Sequence, residues 1–219
     1  MQFQISKAAH TAKALSPETE MAAINAFTQR ELTSEEVFVF RCVACNDQVD
    51  RDFERFPVET LHKLAPMFVG KPGISDHKWS SEVQKARVYD ACVETQGGVT
   101  SLIFKCYMLR NESTKDVIAA IEGGILREVS VGCAIGRAVC SICGEEAHTC
   151  QHMRGAVYNG KTCVYELWDP VDAYEFSFVA VPAQPGAGVT KESHNCGWTP
   201  AEMAAAKVQL EIEHERWKF

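Results

Sequence analysis

Two runs rich in β-branched and apolar residues, 86–95 and 99–109, flank the pair Gly97-Gly98. A two-residue connection of this kind is hairpin chemistry, because both central residues of a type I′ turn need positive φ. A hairpin this long must bury one face, so the rest of the chain has to supply more sheet or covering helices. Further strands are predicted over 36–44, 127–133, 162–167 and 173–181, each bounded by turn residues. Helices are predicted over 17–31, with Ser16 as cap, Pro17 in first position and Met21, Ile24 and Phe27 at helical spacing. A second spans 57–68 and breaks near Pro66, and a third follows Ser113-Thr-Lys-Asp116 and stops at Gly123-Gly124. The last opens at Thr199-Pro200-Ala-Glu202 and runs to about Trp217. About seven strands with few helices predict an α+β, mainly β fold, a largely antiparallel β-barrel with packed helices.

The chain of 219 residues fits one large domain with appendages, and its 46% hydrophobic content is that of a globular protein. A net charge of -7 argues against nucleic acid as the main partner. No apolar run approaches a membrane span, and no secretory signal is visible, so no membrane association is expected. Ten cysteines without such a signal point to metal binding or buried thiols in a reducing, cytoplasmic compartment.

The spacing Cys140-x2-Cys143-x6-Cys150-x-His152 offers three thiolates and an imidazole, matching a tetrahedral Cys3His zinc site. His148 is the competing nitrogen ligand. Four strong ligands leave no open position for water, so the expected Zn2+ is structural and argues against a zinc hydrolase.

Ser130 lies in Arg127-Glu-Val-Ser-Val-Gly-Cys133. Strand alternation puts its hydroxyl opposite the two valines, on the face of Glu128 and Gly132. That is a sensible place for a nucleophile if a base can reach it. His77 follows Asp76 in a loop after Gly70-Lys-Pro-Gly73, and Glu175 lies in the apolar strand Tyr174-Glu-Phe-Ser-Phe-Val-Ala-Val181, on the face of Ser177. An acid in such a strand needs a partner when buried.

Four segments stand in order: Gly70-Lys-Pro-Gly-Ile-Ser-Asp-His77, Glu128-Val-Ser-Val-Gly132, the Cys140–His152 cluster, and the stretch from Tyr174 through Pro182-Ala-Gln-Pro-Gly-Ala187. Over about residues 35–190 the chain resembles the prohead (capsid maturation) serine proteases of tailed bacteriophages, relatives of the herpesvirus assemblins. The resemblance implies a closed antiparallel β-barrel surrounded by helices. It implies Ser130 as nucleophile, His77 as general base and Glu175 as the histidine-orienting acid, with Glu128 as the rival acid. Assemblins use a second histidine in that third role. The Cys/His insertion lies outside the minimal family pattern. The Gly132–Gly136 segment and a loop bearing Arg137 are candidate sources of oxyanion donors.

The domains expected are an arm and helix (1–34), a protease barrel (35–190) with a zinc-binding insertion (138–163), and a linker with a C-terminal helix (191–219). The implied substrates are the scaffolding protein and the major capsid protein, and the chain itself, inside the assembling procapsid in the host cytoplasm. A homodimer or higher oligomer follows from the assemblin likeness. The alternative is a non-catalytic, zinc-stabilised structural or scaffolding component of a viral particle.

Overall fold

The structure is a computed structural model that describes residues 17–191. The expected N-terminal arm, the Ser16 cap, the linker beyond 191 and the C-terminal helix lie outside the described residues. The elements run α1 (Pro17–Asn25), β1 (Val37–Asn46), β2 (Glu54–Arg55), α2 (Val58–Phe68), β3 (Pro72–Ser75), a 3-10 turn (Ser81–Val83), β4 (Ala86–Gln96), β5 (Val99–Leu109), α3 (Lys115–Glu122), β6 (Val129–Cys140), β7 (Val157–Tyr158), β8 (Lys161–Thr162), β9 (Tyr165–Phe178) and β10 (Gly188–Thr190). The β4–β5 hairpin forms as the glycines require, with φ of 59° at Gly97 and 84° at Gly98.

The fold is α+β and mainly β, but the expected closed antiparallel barrel does not form. Eight strands make one mixed, open sheet in the order β10-β1-β5-β4-β3-β9-β2, with β6 on the second edge of β9. Both β2 and β3 run parallel to β9. One isolated bridge, Glu128 to Gly188, joins the start of β6 to β10 and does not continue as a ladder. The sheet stays open because β6 and β10 share no ladder, and it is mixed because of β3. Gly70, Pro72 and Gly73 make it read as loop, yet it is the strand that links β4 antiparallel on one side to β9 parallel on the other.

Two further boundaries differ from expectation. The two strands predicted over 162–167 and 173–181 merge into one, β9, which begins at Tyr165 and ends at Phe178, with register shifts opposite Gly132/Cys133 and Ala134/Ile135; Thr162 falls in β8. Helix α2 passes through Pro66 instead of breaking there. Pro66 and His62 both lie on the exposed side, so the missing N–H leaves the His62 carbonyl to solvent.

Leu61, Leu64 and Phe68 of α2 pack into a core with Phe40, Phe104, Phe176 and Phe178. Phe68 and Phe104 lie 4.7 Å apart, and Phe104 meets the edge of Phe176 at 5.9 Å. Fully burying each such ring contributes about 1.5–3 kcal/mol. The packing fixes β9 against the helix and so sets the position of its opposite face. On the far side of the sheet, α1 buries Ile24 against Tyr89 and Tyr107.

Candidate active site and metal centre

The β6–β9 ladder confirms the predicted facing of the Ser130 strand. Val129 and Val131 stand opposite Phe178 and Phe176, on the core side. Ser130 stands opposite Ser177, and Gly132 opposite Glu175. Directly opposed residues of antiparallel strands have Cβ atoms about 4.5–5.5 Å apart, so Ser130, Ser177 and Glu175 form one patch.

His77 reaches this patch from the end of β3. The Lys78 N–H donates to the Ser75 carbonyl at 3.0 Å, closing a tight turn in which Asp76 (φ 52°) and His77 (φ 51°) are both left-handed. Such conformations cost about 1–3 kcal/mol at a residue other than glycine, and Asp and His are among those that adopt them most readily. The turn is pinned to β9, since the Asp76 N–H donates to the Phe178 carbonyl at 3.0 Å. The His77 N–H donates to Ser177 Oγ at 3.0 Å.

The imidazole then lies against the carboxylate. His77 Nδ1 and Glu175 Oε1 are 2.7 Å apart, with His77 43% exposed and Glu175 4%. Against an ionised carboxylate Nδ1 must be the donor, which leaves Nε2 as the nitrogen with a free lone pair. The Ser177 hydroxyl donates to Glu175 Oε2 at 2.6 Å. Both carboxylate oxygens are thereby engaged, which is what allows a carboxylate to be buried here. Among the described residues no hydrogen bond joins Ser130 to His77; such bonds are often long before substrate binds.

Gly132 has a role different from the one its sequence position suggests. A Cβ there would overlap Glu175 Oε1, so the glycine makes room for the acid. Gly136 answers a similar demand, because a Cβ would sit 2.9 Å from the Asp169 carbonyl. Arg137 is on β6 itself, not on a loop, and its Nε donates to Asp169 Oδ2 at 3.0 Å. Glu128 uses its carbonyl to accept from the Val179 N–H, and its carboxylate makes no bond to His77. Cys133, next to Gly132, is no rival nucleophile. Burial, reinforced by Glu175 and Glu54, pushes its thiol up to about 11. Trp79 and Tyr174, with ring centroids 5.2 Å apart, form an exposed aromatic pair beside His77 and Glu175.

The Cys/His cluster occupies the far tip of the same hairpin. Strand β6 continues to Cys140 and β9 begins at Tyr165, so the tip comprises residues 141–164, with the small β7–β8 ladder inside it. The ligand atoms of Cys140, Cys143, Cys150 and His152 all lie within 4.8 Å of one another, the right size to hold a metal ion. The local backbone is built for this. The Gly144 N–H donates to the Cys140 carbonyl at 2.8 Å with Gly144 at φ 77°, and the Ile142 N–H donates to Cys140 Sγ at 3.4 Å.

Burial raises the Cys140 thiol, but the N–H groups of Cys143 and Ile142 outweigh it and bring it down to about 6. His152 Nδ1 is buried with no hydrogen-bond partner, the condition of a nitrogen that expects a metal. These donors fit a soft or borderline cation. His148 is outside the cluster, where its Nε2 pairs with Glu146 at 3.1 Å. Cys163, 3.6 Å from Cys140 Sγ, is a buried thiol that burial and its bond to Cys140 push up to about 11.

Sequence reasoning brought together His77, Glu175 and Ser130, and the four metal-site residues. It gave Ser177 no part in the site. The signal was present, since alternation places Ser177 on the face of Glu175. Comparison with models of protein families, with curated proteins and with solved structures gave no match.

Proposed function

We propose that the chain is a serine endopeptidase of the prohead maturation type. The observation that carries the reading is the His77 Nδ1–Glu175 Oε1 hydrogen bond set beside Ser130 by the Ser130–Ser177 register. Histidine, acid and hydroxyl come from three separate segments, and the fold converges them on one patch.

In this reading His77 Nε2 takes the Ser130 proton as Oγ attacks the scissile carbonyl carbon. Glu175 holds the tautomer and offsets the imidazolium charge. The tetrahedral adduct collapses, the C–N bond breaks, and His77 hands its proton to the leaving amine. Water, deprotonated by His77, then releases the acyl group. The substrates proposed are the scaffolding and major capsid proteins and the chain itself, within the procapsid. Cys140, Cys143, Cys150 and His152 would hold a zinc ion, which would supply a structural cross-link.

The test is co-expression of wild type and Ser130→Ala with the capsid protein, with products identified by mass spectrometry. Truncated products with wild type and none with Ser130→Ala are expected, at equal metal content. Equal truncation by both sinks the assignment. Metal binding with no truncation and no reaction of Ser130 with a fluorophosphonate favours the alternative, a zinc-stabilised structural component.

A further inference from the structure

We infer that Ser177 is a positioning residue that locks both the Glu175 carboxylate and the His77 main chain; this rests on the reading of His77 as the base for Ser130. Ser177 is completely buried, between Phe176 and Phe178 on a strand whose other face is core. A hydroxyl there is costly unless its proton and its oxygen are both used. Both are. The O–H donates to Glu175 Oε2 at 2.6 Å, and Oγ accepts from the His77 N–H at 3.0 Å.

Together with the His77–Glu175 bond these contacts close a ring. The path runs from the His77 N–H to Ser177 Oγ, from its proton to Glu175 Oε2, and from Oε1 back to the Nδ1–H of the same histidine. A carboxylate held at both oxygens cannot rotate away from the imidazole, and a histidine held by ring and amide has its Nε2 direction fixed. The ring also explains where the left-handed turn gets its support. The ladder between β3 and β9 ends at the Asp76 N–H. The next amide, His77, meets no main-chain carbonyl and is received by the Ser177 side chain instead. Ser177 is not itself a nucleophile candidate, because it has no exposure to substrate and its proton is committed to Glu175.

The experiment compares wild type, Ser177→Ala, Ser177→Thr and Ser130→Ala, using a fluorophosphonate that phosphonylates Ser130 with loss of fluoride, with saturation kinetics and mass mapping. Ser177→Ala is expected to lower the limiting inactivation rate about 100-fold, the scale of a misplaced catalytic group, with the half-saturating probe concentration unchanged. Ser177→Thr retains the hydroxyl and is expected to restore most of the rate. By NMR, the His77 Nδ1–H and amide protons should exchange slowly in wild type and Ser130→Ala and rapidly in Ser177→Ala. An unchanged limiting rate in folded Ser177→Ala overturns the inference. If that variant does not fold, rapid exchange of the His77 amide in wild type overturns it instead. Failure of the underlying reading has its own signature, in which slow exchange persists but wild-type Ser130 is never labelled; the inference then falls with it.

Discussion

The two ends of the β6–β9 hairpin each gather polar side chains, and they satisfy them in opposite ways. At the Ser130 end the ring of His77, Ser177 and Glu175 closes on itself through hydrogen bonds, and one imidazole nitrogen is left over. At the tip three thiols and His152 converge, and the buried His152 Nδ1 has no hydrogen-bond partner among the described residues. The first arrangement is complete as folded. The second becomes complete when a cation supplies the missing partner. At about 3.3 Å per residue, Ser130 and Cys140 lie about 30 Å apart along β6, too far for the tip to touch the chemistry. The difference separates a polar cluster satisfied by its own hydrogen bonds from one that leaves a buried donor set open to a cation.

The sharpest way to break that comparison is His77→Ala. It should cut Ser130 acylation about 10^4-fold, as loss of a triad member does, while metal content by mass spectrometry stays the same. Falling metal content would show that the two ends are one unit. Next in size is loss of the metal, by a chelator or by Cys150→Ser. Residues 141–164 should lose hydrogen-exchange protection, since metal binding at structural sites is folding energy. Ser130 labelling should stay within about threefold of wild type. A collapse of labelling instead would make the tip part of the active site. Gly132→Ala tests the Ser130 end by crowding Glu175. It should destabilise by about 1–3 kcal/mol in urea titration and slow acylation, with metal retained. The smallest effect belongs to Arg137→Ala midway along the hairpin, where losing the exposed pair with Asp169 should barely move the urea midpoint and leave both ends unchanged.

How much of this was legible in the sequence depends on how local the signal is. The Gly97-Gly98 turn and the spacing of Cys140, Cys143, Cys150 and His152 are short-range patterns; the hairpin forms, and the four side chains come together in a cluster that could hold a metal ion. The facing of Val129, Ser130 and Val131 followed from alternation alone. What escaped was long-range or locally contradictory. β3 carries Pro72 and Gly73, so propensity hides a strand that only its pairing with Phe176 and Phe178 sustains. β9 contains Pro170 beside the left-handed Asp169, which looks like a break, but the proline falls at a register shift where the ladder can tolerate it. Those two strands are what make the expected antiparallel sheet a mixed one. Alternation places Ser177 on the face of Glu175, but nothing local in the sequence shows what its hydroxyl bonds. Its meaning comes from the His77 turn, one hundred residues earlier in the chain.

The metal tip also bears on the order in which the chain assembles. Strands β6 and β9 share the largest strand pairing of the molecule, yet residues 141–164 intervene between them. Pairing across a slack connection has to meet the entropy of closing it before any ladder bond forms. A cation held by Cys140 and Cys143 at one end, and by Cys150 and His152 further on, would shorten the slack that remains and make a distant pairing behave more like a local one. Refolding of the wild-type chain should therefore be faster with zinc present than with a chelator.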